Sequence, residues 1–186
     1  MLVVPDFEQL PVAAARAGSP DAWNILFQRY QLPLYTYAFE LVRDEQASLD
    51  VVQETFINAA RHIRDLRDDA RFGSWLFGIA HQKCIQRWRK HARDEALRQE
   101  FAAAPPELDD GPLDLLIQHE QEAEFMNVLG KLPDAHRSVL MLHFIEEFSL
   151  EEIAEITGAQ LGTVKSRMHY AKKALRKLLE NHENPA

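Results

Sequence analysis

Ser149-Leu150-Glu151-Glu152-Ile153-Ala154-Glu155-Ile156-Thr157-Gly158-Ala159-Gln160-Leu161-Gly162-Thr163-Val164-Lys165-Ser166-Arg167-Met168-His169-Tyr170-Ala171 decides the fold of the C-terminal part of the chain. Ser149 and Glu152 have the spacing of a capping box, in which Ser accepts from the third helical N–H and Glu accepts from the Ser N–H. A helix is therefore expected from Ser149, with Ile153, Ala154 and Ile156 on its apolar side. Gly158 suits the left-handed residue that stops it. A second helix is expected to begin near Thr163. Short helix, Gly-containing turn and longer helix make a helix-turn-helix. At about 100° per residue, Val164, Met168, Ala171, Leu175 and Leu178 share one face, which reads as core. Ser166, His169, Tyr170, Lys173, Arg176 and Lys177 fall opposite, with Lys165 and Lys172 on the flanks. In this motif the outward face enters the major groove, early residues meeting base edges and later cations meeting phosphates. The plainer alternative is a helical hairpin with a basic surface; the agreement of cap, turn, apolar register and acid-free face favours the helix-turn-helix.

Working upstream, Leu132-Pro133 interrupts two further helical stretches, one from about Leu115 through Leu129 and one bearing Val139, Leu140, Leu142, His143 and Phe144. Ahead of these, Phe101-Ala-Ala-Ala-Pro-Pro-Glu-Leu-Asp-Asp-Gly-Pro112 has little periodicity, and residues 94–116 read as a flexible linker. The N-terminal part is helical again. Ser19-Pro20-Asp21 is a start signal, a Ser cap followed by Pro where its missing N–H costs nothing. Trp23, Leu26, Phe27, Tyr30, Leu34, Tyr37 and Leu41 then form an apolar stripe, with Pro33 expected to kink or break it. A second helix carries Val52, Phe56, Ala59 and Ile63. Arg71-Phe72-Gly73-Ser74 reads as a connection, with Ser74 capping a third long helix through about Lys90. The expectation is all-α: a domain over residues 1–93, the linker, and a second domain over 117–186. Each is large enough to fold alone, and the linker is expected to allow many relative placements.

The charge pattern qualifies the net value. The formal charge of −8 argues against a nucleic-acid partner, because such binding rests on neutralising phosphates. By position, however, residues 71–93 hold 6 basic and no acidic side chains, and residues 161–179 hold 6 and none. Residues 94–124 hold 1 basic and 10 acidic. Fields decay over about 8–10 Å in physiological salt, so each block acts locally. A solvated helix face is the plain reading of one such block; two of them weaken it. The first block, Arg71 through Lys90, also interleaves Trp75, Phe77 and Trp88 with cations and amides, a mixture suited to unpaired DNA. Trp75 and Ile79 read as core within it.

Other chemistries find little support. No run of about 18 apolar residues is present, and Met1-Leu-Val-Val-Pro-Asp6 lacks a basic region before its apolar stretch. A single cysteine, Cys84, cannot form an internal disulfide, which fits a reducing, cytoplasmic setting. His136, His143 and His169 have no ligand spacing that suggests a metal. His81 and Cys84 lie one helical turn apart, and core or surface roles suit them better than catalysis or metal binding. No cofactor, metal or enzymatic activity is expected.

The ordered motifs resemble the extracytoplasmic-function (ECF) group of bacterial sigma factors, within the sigma-seventy superfamily. Carrying the resemblance are Gln53-Glu54-Thr55-Phe56, Phe72-x-Ser-Trp75-Leu76-x-x-Ile79-Ala80, Leu132-Pro133, and Leu150-Glu-Glu-Ile153-Ala154 followed by Gly162-Thr163-Val164-Lys165-Ser166-Arg167. They span about residues 12–93 and 118–180, and their order is more specific than any one of them. The resemblance implies a subunit that joins core RNA polymerase through Asp50, Gln53, Glu54 and Phe56. It implies minus-ten promoter contacts by His81, Gln82, Lys83, Gln86, Arg87, Trp88, Arg89 and Lys90. Minus-thirty-five contacts would come from Thr163, Lys165, Ser166, Arg167, His169, Tyr170, Lys173, Arg176 and Lys177. An acidic linker threading the polymerase and restraint by an anti-sigma factor are also implied. Ala47 and Leu49 stand where the family often has acids, and phosphorylation of Ser48 would restore negative charge there. His81-Gln82 replaces a frequent Arg-Asn, Gln86 a frequent Asp, and Tyr170 a frequent Arg. The alternative function is a free-standing helix-turn-helix regulator that binds duplex DNA without polymerase.

Overall fold

A computed structural model describes residues 10–99 and 128–183, with side chains described as far as Arg89 in the first stretch and Lys177 in the second. All regular structure among the described residues is helical. The first four helices are α1 (Val12–Arg16), α2 (Pro20–Val42), α3 (Glu45–His62) and α4 (Phe72–Gln99), with single 3-10 turns at Ile63–Asp65 and Asp69–Arg71. The C-terminal set is α5 (Asp134–Phe144), α6 (Leu150–Thr157) and α7 (Leu161–Glu183), preceded by a helical turn ending at Gly130.

The start signals act as the sequence predicts. The Ser19 hydroxyl accepts from Ala22 N at 3.3 Å, and Pro20 opens α2. At Ser149 both halves of the capping box are made, Glu152 N donating to the Ser149 hydroxyl at 3.2 Å and Ser149 N to the Glu152 carboxylate at 2.9 Å. Gly158, at φ 65°, stops α6 in the left-handed conformation. Arg43 performs the same turn at φ 57° after α2, and Asp44 then caps α3 by accepting from Ala47 N at 2.6 Å. A non-glycine left-handed residue costs backbone energy. The Arg43 guanidinium bonds Glu40 at 2.7 Å across the same corner.

Three expectations are corrected. Pro33 does not break α2, which runs unbroken from Pro20 to Val42. Leu26 and Leu34 on either side of the proline are both fully buried, so packing offsets the backbone bond it loses. The third long helix starts at Phe72, and Ser74 is not its cap; its buried hydroxyl donates to Arg71 O at 3.1 Å. That helix continues to Gln99, and linker residues 100–116 with most of the helix expected over 115–129 lie outside the described residues. Ser48 is fully buried and its hydroxyl donates to Asp44 O at 2.6 Å, which keeps it from a modifying enzyme while α3 is folded.

The two helical sets pack against one another. Leu26, Tyr37, Val51, Phe72, Leu76 and Phe77 fill the N-terminal bundle, and Leu140, Leu142, Ile153, Val164 and Met168 fill the C-terminal one, yet the buried side chains form one continuous cluster. In this structure the two sets are docked against one another. The physical basis is apolar area: α6 lies against α4, with Phe148 edge-on to Phe77 at 5.2 Å between ring centroids. The two helices approach closely there, a Cβ at Gly78 standing in ordinary contact, 3.9 Å, with the Ile156 backbone.

Candidate nucleic-acid interface

Apart from Arg71, in the 3-10 turn before α4, each basic block lies on one helix with its apolar side held by a core. Val164, Met168 and Ala171 seat α7, with Leu175 half-buried beside them. Thr163, Lys165, Ser166, His169, Tyr170, Lys173, Arg176 and Lys177 are all exposed. None of these cations has an acidic partner among the described residues. His169 and Tyr170 meet edge-on at 5.4 Å, and Lys172 lies over the Phe144 ring at 5.1 Å. Arg167 differs: it is half-buried, and its charge is felt by His81 on α4.

On α4 the chemistry is more divided. Gln82, Gln86, Trp88 and Arg89 are exposed, the side chain of Lys90 lies outside the described residues, and Lys83 and Arg87 are half-buried against α3. There Glu54 receives Lys83 at 3.1 Å and Arg87 at 2.8 Å, and Asp50 lies 3.5 Å from Arg87. The hydrogen bond from Lys83, with the charges of Lys83 and Arg87, holds Glu54 below the ordinary carboxylate value despite its partial burial. Two residues expected to touch polymerase and two expected to touch DNA thus form one ion cluster. Gln53 points outward beside Leu49 and Ile57, whereas Phe56 is partly covered by Phe27 at 4.9 Å.

His81 is placed unlike the outward cations. It is buried, and its Nδ1 lies 2.7 Å from the Tyr37 hydroxyl. Burial, with Arg167 adding repulsion, pulls its pKa down to about 4, so the ring is neutral at physiological pH. Cys84 one turn on is also buried, and burial pushes its thiol up to about 12. The described residues contain no cluster of three His, Cys, Asp or Glu side chains able to hold a metal ion, and no described helix is long and apolar enough to cross a membrane.

Sequence reasoning missed the residues at the junction. A cleft of about 630 Å³ opens between the 3-10 turns, α4 and α6, lined among others by Leu66, Arg71, Trp75, Ile79, Gln82 and Ile156. Trp75 and Ile79, expected as core, are only partly buried and form its floor. At its edge Arg71 bonds Glu155 of α6 at 3.0 Å. On the other side of the junction Glu40 of α2 and Arg137 of α5 are both buried, 4.0 Å apart. Burial raises the Glu40 carboxyl above its ordinary value, with Arg43 and Arg137 opposing, and burial together with Arg43 lowers Arg137. A charged residue in the apolar phase of α2, and another beside Val139 and Leu140, was the available signal.

An all-α chain presenting a helix-turn-helix and a second basic helix belongs among DNA-reading transcription proteins. The family models for Sigma-70 region 2 and Sigma-70 region 4 match residues 26–94 and 128–177. The chain is 32% identical over 178 residues to the ECF RNA polymerase sigma factor SigW of Bacillus subtilis (strain 168), covering 91% of this chain and 95% of that one. Among solved structures it resembles CnrH in complex with the cytosolic domain of CnrY, at 28% identity and a TM-score of 0.63, covering 91% of this chain and 94% of that one. It also resembles the sigma factor RpoE in complex with the anti-sigma factor NepR from Bartonella quintana, at 26% identity and a TM-score of 0.64, covering 83% and 96%. The chain belongs to the sigma-70 family, in its ECF group, and is a sigma factor that directs RNA polymerase to promoters.

Proposed function

We propose a division of labour in which the N-terminal bundle, residues 1–93, engages core polymerase and the minus-ten element while residues 117–186 read the minus-thirty-five element. The observation that carries it is the presence, in one acidic chain, of two acid-free cationic blocks, one turned outward along α7 and one on α4 that is partly paired to α3. The exposed side of α3, with Asp50, Gln53 and Glu54 beside Leu49 and Ile57, is the polymerase contact, and Phe56 supports it. On α4, Gln82, Gln86, Trp88 and Arg89 meet the opened strand, and Lys83, Arg87 and Lys90 follow its phosphates. A base leaving the stack is retained in the cleft over Trp75 and Ile79, so that melting and reading share one binding energy. His81 contributes through Tyr37 by fixing the inner face of α4.

On α7, Ser166 and His169 meet base edges, with Thr163, Lys165, Arg167 and Tyr170 beside them, and Lys173, Arg176 and Lys177 meet phosphates. The acidic linker, residues 94–116, lies in the polymerase's cationic channel. An anti-sigma factor restrains the protein in the cytoplasm, as the partners named for CnrH and RpoE suggest. The chain performs no catalysis of its own. Adding it to core polymerase on a diverse promoter library tests the reading: promoter-dependent transcripts are expected. Tight duplex binding by the chain alone with no transcript would instead make it a free-standing regulator.

A further inference from the structure

We infer that one ion cluster couples polymerase binding to strand reading: Asp50 and Glu54 of α3 hold Lys83 and Arg87 of α4 in the free protein, and polymerase, by taking up the two carboxylates, frees both cations for the DNA. The inference rests on the proposed roles of α3 and α4. Three features of the cluster carry it. First, it lies on the seam between the two faces. At about 100° per residue, Asp50 and Glu54 border the exposed side of α3 that bears Gln53 and Ile57, while Lys83 and Arg87 border the side of α4 that bears Gln82 and Gln86. Glu54 receives Lys83 on one carboxylate oxygen at 3.1 Å and Arg87 on the other at 2.8 Å, and Asp50 stands 3.5 Å from the same guanidinium.

Second, the pairs are open on the carboxylate side. Asp50 and Glu54 keep 43% and 44% of their side-chain surface in solvent, against 26% for Lys83 and 29% for Arg87. A cation approaching α3 from outside therefore reaches the acids before it reaches their present partners. Leu49 and Ile57, both exposed, frame the acids, so the surface fits a partner that joins apolar to basic side chains. Such basic side chains share the carboxylates and set a like charge beside Lys83 and Arg87, which loosens both.

Third, the exchange leaves the fold intact and gives the released charges a use. Exposed ion pairs add little to stability, and α4 stays seated through Leu76, Phe77, Ala80 and Cys84 in the core. Without polymerase, a strand running along Gln82 and Gln86 must displace ion pairs already made before its phosphates reach Lys83 and Arg87. With the carboxylates taken up, that competition falls away. Coupling of this kind is reciprocal, so a bound minus-ten strand should tighten the hold on polymerase by the same factor.

The test measures the affinity of the full chain for a fluorescent single-stranded minus-ten oligonucleotide, alone and with saturating core polymerase, with core polymerase by itself as the blank. The wild type should bind severalfold more tightly with polymerase. Glu54→Gln keeps the side chain's shape and removes its charge; the free variant should bind severalfold more tightly than free wild type, and polymerase should add less to it. Glu45→Gln removes the same charge from an exposed position on α3 outside the cluster and should leave affinity near the wild-type value. In a chain already carrying Lys83→Gln and Arg87→Gln, adding Glu54→Gln should change nothing, since the cations it releases are gone. Unchanged or weaker binding by free Glu54→Gln, an equal gain from Glu45→Gln, or a gain that persists without Lys83 and Arg87 overturns the inference while wild-type transcripts keep the promoter-reading role. A wild type that adds nothing to the blank and yields no transcript removes that role, and the inference with it.

Discussion

The two basic helices carry the same formal charge and differ in how much of it is available. Between residues 161 and 179 the six cations have no acid in the sequence among them, and the exposed ones on α7 have no acidic partner among the described residues. On α4, Lys83 and Arg87 are turned toward Glu54 and Asp50. A charge paired to a neighbouring carboxylate neutralises phosphate poorly, because the DNA must compete with an ion pair already made. Equal blocks in sequence thus become a ready duplex-binding surface and a guarded one.

The largest expected effect breaks the seat of α4. Phe77 is fully buried and touches both Tyr37 and Phe148. Phe77→Ala should cost about 3–5 kcal/mol of stability in urea unfolding, and a loss below about 1 kcal/mol would show that α4 is held elsewhere. Met168→Ala under α7 should follow at about 2–5 kcal/mol.

Salt dependence sharpens the comparison directly. Lys173→Ala or Arg176→Ala should lower the slope of log affinity for minus-thirty-five duplex against log salt by about one for each phosphate no longer neutralised. Asp50→Asn with Glu54→Gln should act oppositely on single-stranded DNA, steepening the slope by up to about two as Lys83 and Arg87 are released. An unchanged slope in the second case would mean that the ion cluster does not compete with phosphate.

The smallest effect concerns pH at the junction. Glu146, in the loop between α5 and α6, faces Arg29, Tyr30 and Tyr37 of α2, and burial pushes its carboxyl up to about 7, with Arg29 opposing. A raised pKa means that its contribution to docking is fully present below the ordinary 4.5 and is lost as pH rises through about 7. His81 has the opposite sign, its contribution present above 6.5 and lost as pH falls through about 4. Glu146→Gln should therefore flatten the loss of stability on the alkaline side only, read as the urea midpoint across pH. An alkaline limb as steep as in the wild type would assign the loss to another group.

Helix starts were legible because caps are local: Ser19 with Pro20, and Ser149 with Glu152, satisfy N–H groups within one turn. The outward faces were legible because helical periodicity sorts Val164, Met168 and Ala171 from Ser166, His169 and Lys173 whatever they pack against. His81 was not, since its neighbours in sequence are cations and amides while its partner, Tyr37, is on another helix. Pro33 misled for the same reason: the local cost was visible, and the packing of Leu26 and Leu34 that offsets it was not.

By itself the sequence determined an all-helical chain, a helix-turn-helix near its end, two acid-free cationic blocks and the family to which they belong, because each is set by neighbours within a few turns. Only the tertiary structure decided that Lys83 and Arg87 are held by Glu54, that His81 is buried, and that α6 forms a wall of the cleft beside α4. Those outcomes depend on which surfaces exclude water together, and such pairing joins residues as distant as Phe77 and Phe148 that no local pattern connects.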